Sequence, residues 1–174
     1  DVDLVVEGDA IAIGKALQDR FGGTVIVHRK FLSAKWDLPG TLGDSTGLRT
    51  IDLVTARSEY YQRPSSFPEV KPTSLIVDLK RRDFTINALA ICLTDHRFGE
   101  LYDYYGGLDD IRLGNVRVLH SESFMDDATR MVRAVRLEQR LGFALTPNTA
   151  ELIHRALPLL GKMSGDRIRN ELDV

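Results

Sequence analysis

Strand-and-helix patterning gives way to purely helical patterning near residue 120, and this switch constrains the fold more than any other feature of the chain. Before it, Asp1 to Val6 alternates and then runs apolar, as a buried strand does. Asp9 is placed to cap a helix over Ala10 to Phe21, with Ile13, Ala16, Leu17 and Phe21 on one face and Gly22-Gly23 as its stop. Thr24 to His28 and Thr50 to Thr55 read as further strands. Pro39 to Gly47 reads as the loop of a hairpin connection, since it lacks the lysine that a phosphate-binding loop requires. Residues 58–74, with Pro64, Pro68 and Pro72, predict an extended loop, and Gly99 to Tyr105 and Val116 to Leu119 predict short strands flanking Gly106-Gly107. After the switch, Ser123 predicts a helix to about Leu141, Pro147 opens another through Leu157, and Ser164 caps a last one. The predicted organisation is an α+β domain over residues 1–119 followed by the start of a helical domain over 120–174.

Composition narrows the classes. A chain of 174 residues with 43% hydrophobic and 28% charged residues has the make-up of a soluble globular protein. Its net charge of −2 rules out a global basic field, so any nucleic-acid contact must come from a local patch. The one cysteine, Cys92, lies in an apolar run, cannot form an internal disulfide, and reads as a small core residue in a reducing compartment. No apolar run reaches membrane-spanning length and no signal-peptide pattern is present. The chain opens without a methionine, in the middle of a pattern, and reads as a fragment. Its four histidines are scattered without metal-ligand spacing, which argues against zinc.

Three groups of residues carry chemistry. The first is Asp1-Val2-Asp3, two carboxylates on one face of a strand, with Asp52 a third in the strand pattern Ile51-Asp52-Leu53-Val54. Like charges that close need a cation between them, and hard oxygen ligands suit Mg²⁺ in a phosphoryl-transfer site. The second is the run from Asp78 to Ala90, where Arg81, Arg82 and Asp83 abut an apolar segment, Phe84 to Leu93, that reads as a helix opening. Cations at a helix N-terminus oppose its dipole, so Arg82 reads as a phosphate ligand rather than a helix feature. The third is Asp127, Arg130, Arg133 and Arg136, which step three residues at a time along the helix from Phe124. Asp127 can accept from the exocyclic amine of adenine or cytosine while Arg130 donates to the ring nitrogen; uracil and guanine would meet Asp127 with a carbonyl. Arg133 and Arg136 remain for phosphate. The competing reading of each group is a solvated charged face.

In the order in which they occur, these segments resemble the motifs of the class II tRNA nucleotidyltransferases, the CCA-adding enzymes, and of their relatives the bacterial poly(A) polymerases and A-adding enzymes. The resemblance rests on Asp1-Val2-Asp3-Leu4, Ile51 to Arg57, Arg81 to Ala88, Asp103 to Ile111, Asp126 to Ala134, and Asp166 to Leu172. It implies a polymerase-β-like head, a mixed sheet with flanking helices, followed by a helical neck. It also implies a cytoplasmic enzyme that adds nucleotides to the 3′ end of tRNA or another RNA, from ATP and CTP, with Mg²⁺ and without a nucleic-acid template. Asp1 and Asp3 would then hold metal, with Asp52 as the third catalytic carboxylate. Arg82, Arg133 and Arg136 would contact the nucleotide, Asp83 and Asn87 would lie near its ribose, and Asp127 and Arg130 would read its base. Two departures stand out: the Gly-Gly-x-x-Arg-Asp segment that should precede Asp1 is not in this chain, and Asp126 stands where the family has Glu. CCA addition, A addition and poly(A) tailing share these features. A non-catalytic RNA-binding module that kept the fold is the rival from another class, with Tyr60-Tyr61 and Tyr104-Tyr105 as stacking candidates.

Overall fold

A computed structural model describes residues 2–62 and 68–173. Their α+β architecture divides into two compact units, residues 1–60 with 69–78, and residues 61–68 with 79–174. The switch to helical patterning near residue 120 falls within the second unit. Among the described residues no helix is long and apolar enough to cross a membrane.

The first unit is a four-stranded mixed sheet with a helix on one face. Its elements are β1 (Val2–Val6), α1 (Ala10–Phe21), β2 (Thr24–His28), β3 (Ser33–Asp37), α2 (Gly40–Thr46) and β4 (Thr50–Thr55), with sheet order β1-β4-β3-β2. Asp9 caps α1 as its sequence position predicts, accepting from the backbone N–H of Ile11 and Ala12. Leu53, Trp36 and Ala10 are buried at the centre, with Leu4, Val6, Leu17 and Val25 around them. The approach of α1 is close enough that a Cβ on Gly14 would lie 3.3 Å from that of Ala34. Trp36 buries its ring and donates Nε1–H to the Gly22 carbonyl at 2.9 Å, which leaves no polar cost at the core. β3, absent from the sequence expectations, pairs antiparallel with both β2 and β4. The connection from β3 to β4 is the hairpin link expected, but it holds helix α2 rather than an open loop. Leu42 packs into the core, and the hydroxyls of Ser45 and Thr46 donate to its carbonyl. The rest of the unit is a two-stranded pair, β5 (Arg57–Tyr60) and β6 (Glu69–Pro72), where an extended loop was expected. Pro64 lies outside the described residues.

Helix α3 (Leu75–Lys80) precedes the Arg81-Arg82-Asp83 run instead of following it. The expected helix over Phe84 to Leu93 is replaced by a 3-10 turn at Thr85–Asn87 and by β7 (Ala90–Ile91), which pairs with β8 (Leu101–Tyr102). The apolar run is not one helix face. Phe84 is fully buried and bridges to Val118, whereas Ile91 and Leu93 are exposed. The arginines therefore follow a helix C-terminus, where cations complement the dipole, and the electrostatic anomaly read from the sequence does not exist.

In the second unit, α4 (Gly107–Leu113) occupies the place where a strand turn was expected, and β9 (Asn115–Val116) follows it. Asp103 fixes the start of α4 by accepting from the N–H of Gly107 and Leu108. The predicted helix from Ser123 is two, α5 (Ser123–Asp126) and α6 (Thr129–Leu141). The break falls at Asp127, whose backbone is extended and whose carboxylate takes the Thr129 N–H, the local competition by which Asp disfavours helix interiors. β10 (Ala144–Leu145), α7 (Pro147–Ala156) and α8 (Gly165–Leu172) complete the chain, with Thr146 and Ser164 as caps. The core is Phe84, Val116, Val118, Phe124, Ala128, Met131 and Ala134, closed by Ala156 and Leu159.

Several buried polar groups of this unit are paired with one another. Asp110 accepts from Thr85 Oγ1 at 2.6 Å and from Arg117 Nε at 2.8 Å, tying α4 to the 3-10 turn. Asp83, 7% exposed, accepts from the Phe84 N–H, Asn87 Nδ2 and Arg133 Nη1. Burial alone would raise the Asp83 carboxyl, but the Arg133 guanidinium and the two neutral donors outweigh it and hold it below the usual carboxylate range.

Two stability predictions follow from these contacts. A Cβ on Gly107 would fall 2.3 Å from the Thr85 carbonyl oxygen, so Gly107→Ala should cost about 1–3 kcal/mol by forcing backbone apart. Gly161→Ala, which meets nothing within 4 Å, should stay within roughly 0.5 kcal/mol. Urea unfolding of both variants checks this, and equal midpoints would mean that α4 tolerates the shift. The second prediction concerns acid. Because the folded pKa of Asp83 is lowered, its contribution is complete above about pH 4 and is lost as the pH falls through the lower folded value. The stability gap between wild type and Asp83→Asn should thus be flat from pH 7 to 5 and should narrow below about pH 4. A gap that widens on acidification would contradict the pairing.

Candidate active site

Strand register assembles the carboxylates. β1 runs parallel to β4 with Asp3 opposite Asp52, and β3 runs antiparallel to β4 with Lys35 opposite Asp52. In the next row Leu4, Leu53 and Ala34 are partners, and Leu53 and Ala34 are buried on the core side. Side chains alternate along a strand, so Asp3, Asp52 and Lys35 share the face opposite the core. Neighbouring strands lie about 4.8 Å apart, close enough for the two carboxylates to share one divalent cation. Their hard oxygen donors and common face fit Mg²⁺. Asp1, the expected third carboxylate, lies outside the described residues, and among the described ones no group of three acidic, His or Cys side chains gathers to hold a metal. The sequence reading missed Lys35, a cation in the same row. The Ala34-x-Trp36 alternation was the signal that could have found its strand.

The remaining candidates belong to the second unit. Arg130 is 5% exposed and donates to the carbonyls of Arg81 (2.7 Å) and Arg82 (3.3 Å) and to Ser123 Oγ (2.8 Å). This buried guanidinium fixes the backbone that carries Arg82, the phosphate candidate. Arg133 joins Asp83 (2.7 Å) to Glu171 of α8, and Arg136 donates to the Glu171 carbonyl at 2.7 Å. The Glu171 bonds raise the Arg133 pKa, burial opposes that, and the Asp83 bond adds to the rise, so the guanidinium stays charged. Asp83 and Asn87, both expected near a ribose, are bonded to each other. Asp127 does not pair with Arg130. It accepts from Thr129 N–H (3.0 Å), Thr129 Oγ1 (2.8 Å) and Arg167 Nη2 (2.8 Å). Arg167 and Glu171 carry no role in the sequence because their partners lie 40 and 38 residues away, and Thr129, two residues from Asp127, carries none because a local cap gives no sign of a site.

Such a set can do two things. The carboxylate face of the first unit can hold a hydrated divalent cation and the phosphates it carries. The second unit offers a part-exposed carboxylate, Asp127, beside a clustered set of guanidinium groups, which suits a polar base edge and an anion.

The chain is similar to known proteins. The family described as Poly A polymerase head domain matches residues 1–117. The A-adding tRNA nucleotidyltransferase of Geobacter sulfurreducens is 43% identical over 174 residues, covering 99% of this chain and 19% of its own. A CCA-adding enzyme in its apo form II is 41% identical with a TM-score of 0.86, over 99% of this chain and 39% of its own. A tRNA nucleotidyltransferase complexed with a primer tRNA and an incoming ATP analogue is 39% identical with a TM-score of 0.81, over 98% of this chain and 46% of its own. The chain therefore spans between 19% and 46% of these relatives. Matched over more than half its length by the family and over nearly all of it by these relatives, the chain belongs to the poly A polymerase head domain family.

Proposed function

We propose that this chain is the polymerase-β-like head, residues 1–119, and the start of the helical neck, residues 120–174, of a cytoplasmic RNA nucleotidyltransferase that adds AMP to the 3′ end of tRNA. The observation that carries the reading is the Asp3–Asp52 register on the face of the sheet opposite the core. The identity to the A-adding enzyme of Geobacter sulfurreducens supports AMP as the added unit, and ATP is the nucleotide whose analogue that primer-tRNA complex holds. Asp1, Asp3 and Asp52 would hold Mg²⁺, which supplies charge neutralisation at the triphosphate and a more acidic attacking hydroxyl.

The chain's own residues do the positioning. Arg82, on backbone anchored by Arg130, reaches for the triphosphate. Arg133 and Arg136, engaged with Glu171, add positive charge at long range and would exchange a carboxylate partner for a phosphate oxygen only at the cost of that pairing. Asp83 and Asn87 act as a bonded pair beside the ribose. Asp127 accepts from the exocyclic amine of the base. Arg130 has three of its five N–H groups committed to protein oxygens and offers a remaining one to the ring nitrogen. CTP carries the same donor–acceptor edge, so CMP addition by the same pair is the companion activity.

The deciding experiment incubates the full-length protein with Mg²⁺, each nucleotide singly, and tRNAs ending before the first C, after C, or after CC. Addition of one AMP to the CC-ended tRNA is expected. Long poly(A) products would reassign the enzyme to tailing, and no product on any RNA would favour the binding-module alternative. Asp3→Ala should abolish transfer while leaving the melting temperature unchanged, because an exposed strand residue carries little packing energy. Near-normal turnover by Asp3→Ala would remove the carboxylate face from the chemistry. Asp127→Ala should lower use of ATP and relax rejection of UTP and GTP about tenfold, the discrimination of one well-placed polar contact. An unchanged preference order would take Asp127 out of base reading.

A further inference from the structure

Asp127 is not a loose surface carboxylate. Its Oδ1 takes three donors, the Thr129 N–H at 3.0 Å, Thr129 Oγ1 at 2.8 Å and Arg167 Nη2 at 2.8 Å. Among the described residues its Oδ2 accepts none. The side chain is a quarter exposed, and it sits at the break between α5 and α6 where the backbone is extended. Three donors converging on one oxygen fix both torsions of the side chain and leave the second oxygen as a single, aimed acceptor.

Arg167 is the donor that local structure does not account for. It stands in the first turn of α8, just past the Ser164 cap, where the helix dipole disfavours a cation. A carboxylate 40 residues earlier in the chain accounts for it. Thr129 is 4% exposed and opens α6, so its two donors are held by the core itself. One donor set thus comes from the start of α6 and the other from α8.

We infer that Thr129 and Arg167 are positioning residues for nucleotide selection: they lock Asp127 so that only Oδ2 meets the base, and an amine must supply the donor. This rests on the reading of Asp127 as the acceptor for the base amine. An ionised carboxylate that can rotate would offer either oxygen and would adapt to a carbonyl edge by turning aside. A locked one cannot, so the clamp converts a weak contact into a rejection. The ordering is also done before the nucleotide arrives, which strengthens the contact without adding one.

The test compares, in the full-length protein, kcat/KM for ATP with that for purine riboside triphosphate, which lacks only the amine. The ratio is read within one protein, so a loss of active fraction cancels. It should fall about tenfold in Arg167→Met and by several-fold in Thr129→Val, whereas Arg167→Lys, which keeps a donor, should retain most of it. A ratio at the wild-type value in both Arg167→Met and Thr129→Val, with Asp127→Ala still lowering it, would overturn the clamp and leave the base reading standing. A wild-type ratio in Asp127→Ala would overturn the base reading and the clamp together. Loss of rate in Arg167→Met with the ratio unchanged would make Arg167 a fold residue only, and would count against the inference.

Discussion

A buried guanidinium bonded to neutral oxygens organises the second unit. Among the described residues Arg130 meets neutral oxygens alone, two backbone carbonyls and a serine hydroxyl. Desolvating a cation is costly unless its donors are answered, and here they are answered by the carbonyls of Arg81 and Arg82 and by the Ser123 hydroxyl. The same contact therefore satisfies the cation and pins residues 81 and 82 to α5 and α6. Removing the side chain would leave two carbonyls and Ser123 without their donor, a loss on the order of 1–3 kcal/mol for a group orphaned in a buried place. Arg82, Asp83 and Asn87 all hang from backbone fixed in this way.

The first unit solves a different problem, how to keep acidic side chains on a strand without losing the core. Period-two alternation does it. Leu4, Leu53 and Ala34 form one row against α1, and Asp3, Asp52 and Lys35 form the next row on the other side. Slipping any of these strands by one residue would bury a charge and expose a core side chain, so the register that secures the core also secures the carboxylate pair.

What the sequence made legible follows from how local each signal is. The Asp9 cap, the Gly22-Gly23 stop and the Ser164 cap act within a few residues, and they stand where they were expected. The Phe84 to Leu93 segment was misread because its apolar residues have unrelated fates: Phe84 enters the core, while Ile91 and Leu93 lie on a hairpin. Asp127 broke a helix that apolar periodicity carried straight through, because an Asx-type bond is stronger there than propensity suggests. The candidate carboxylates and arginines were nameable from motifs, but their partners were not. Nothing in the spacing of residues 133 and 171, or 127 and 167, announces an ion pair.

Those unannounced partners change what the arginine row means. Read along the helix, Arg130, Arg133 and Arg136 look like three cations waiting for phosphate. In the folded chain Arg130 is engaged with carbonyls, and Arg133 and Arg136 with Glu171 and Asp83. The three arginines of the row thus also fix geometry, Arg130 keeping a remaining N–H, and Asp127, held at one oxygen, keeps the other open. A protein that selects a nucleotide without a pairing template must supply from side chains the rigidity that a stacked, paired base would otherwise give. The cost of that rigidity is a dense set of buried and half-buried charges, each needing its partner, which is why so few of the cations in this helix remain for the ligand.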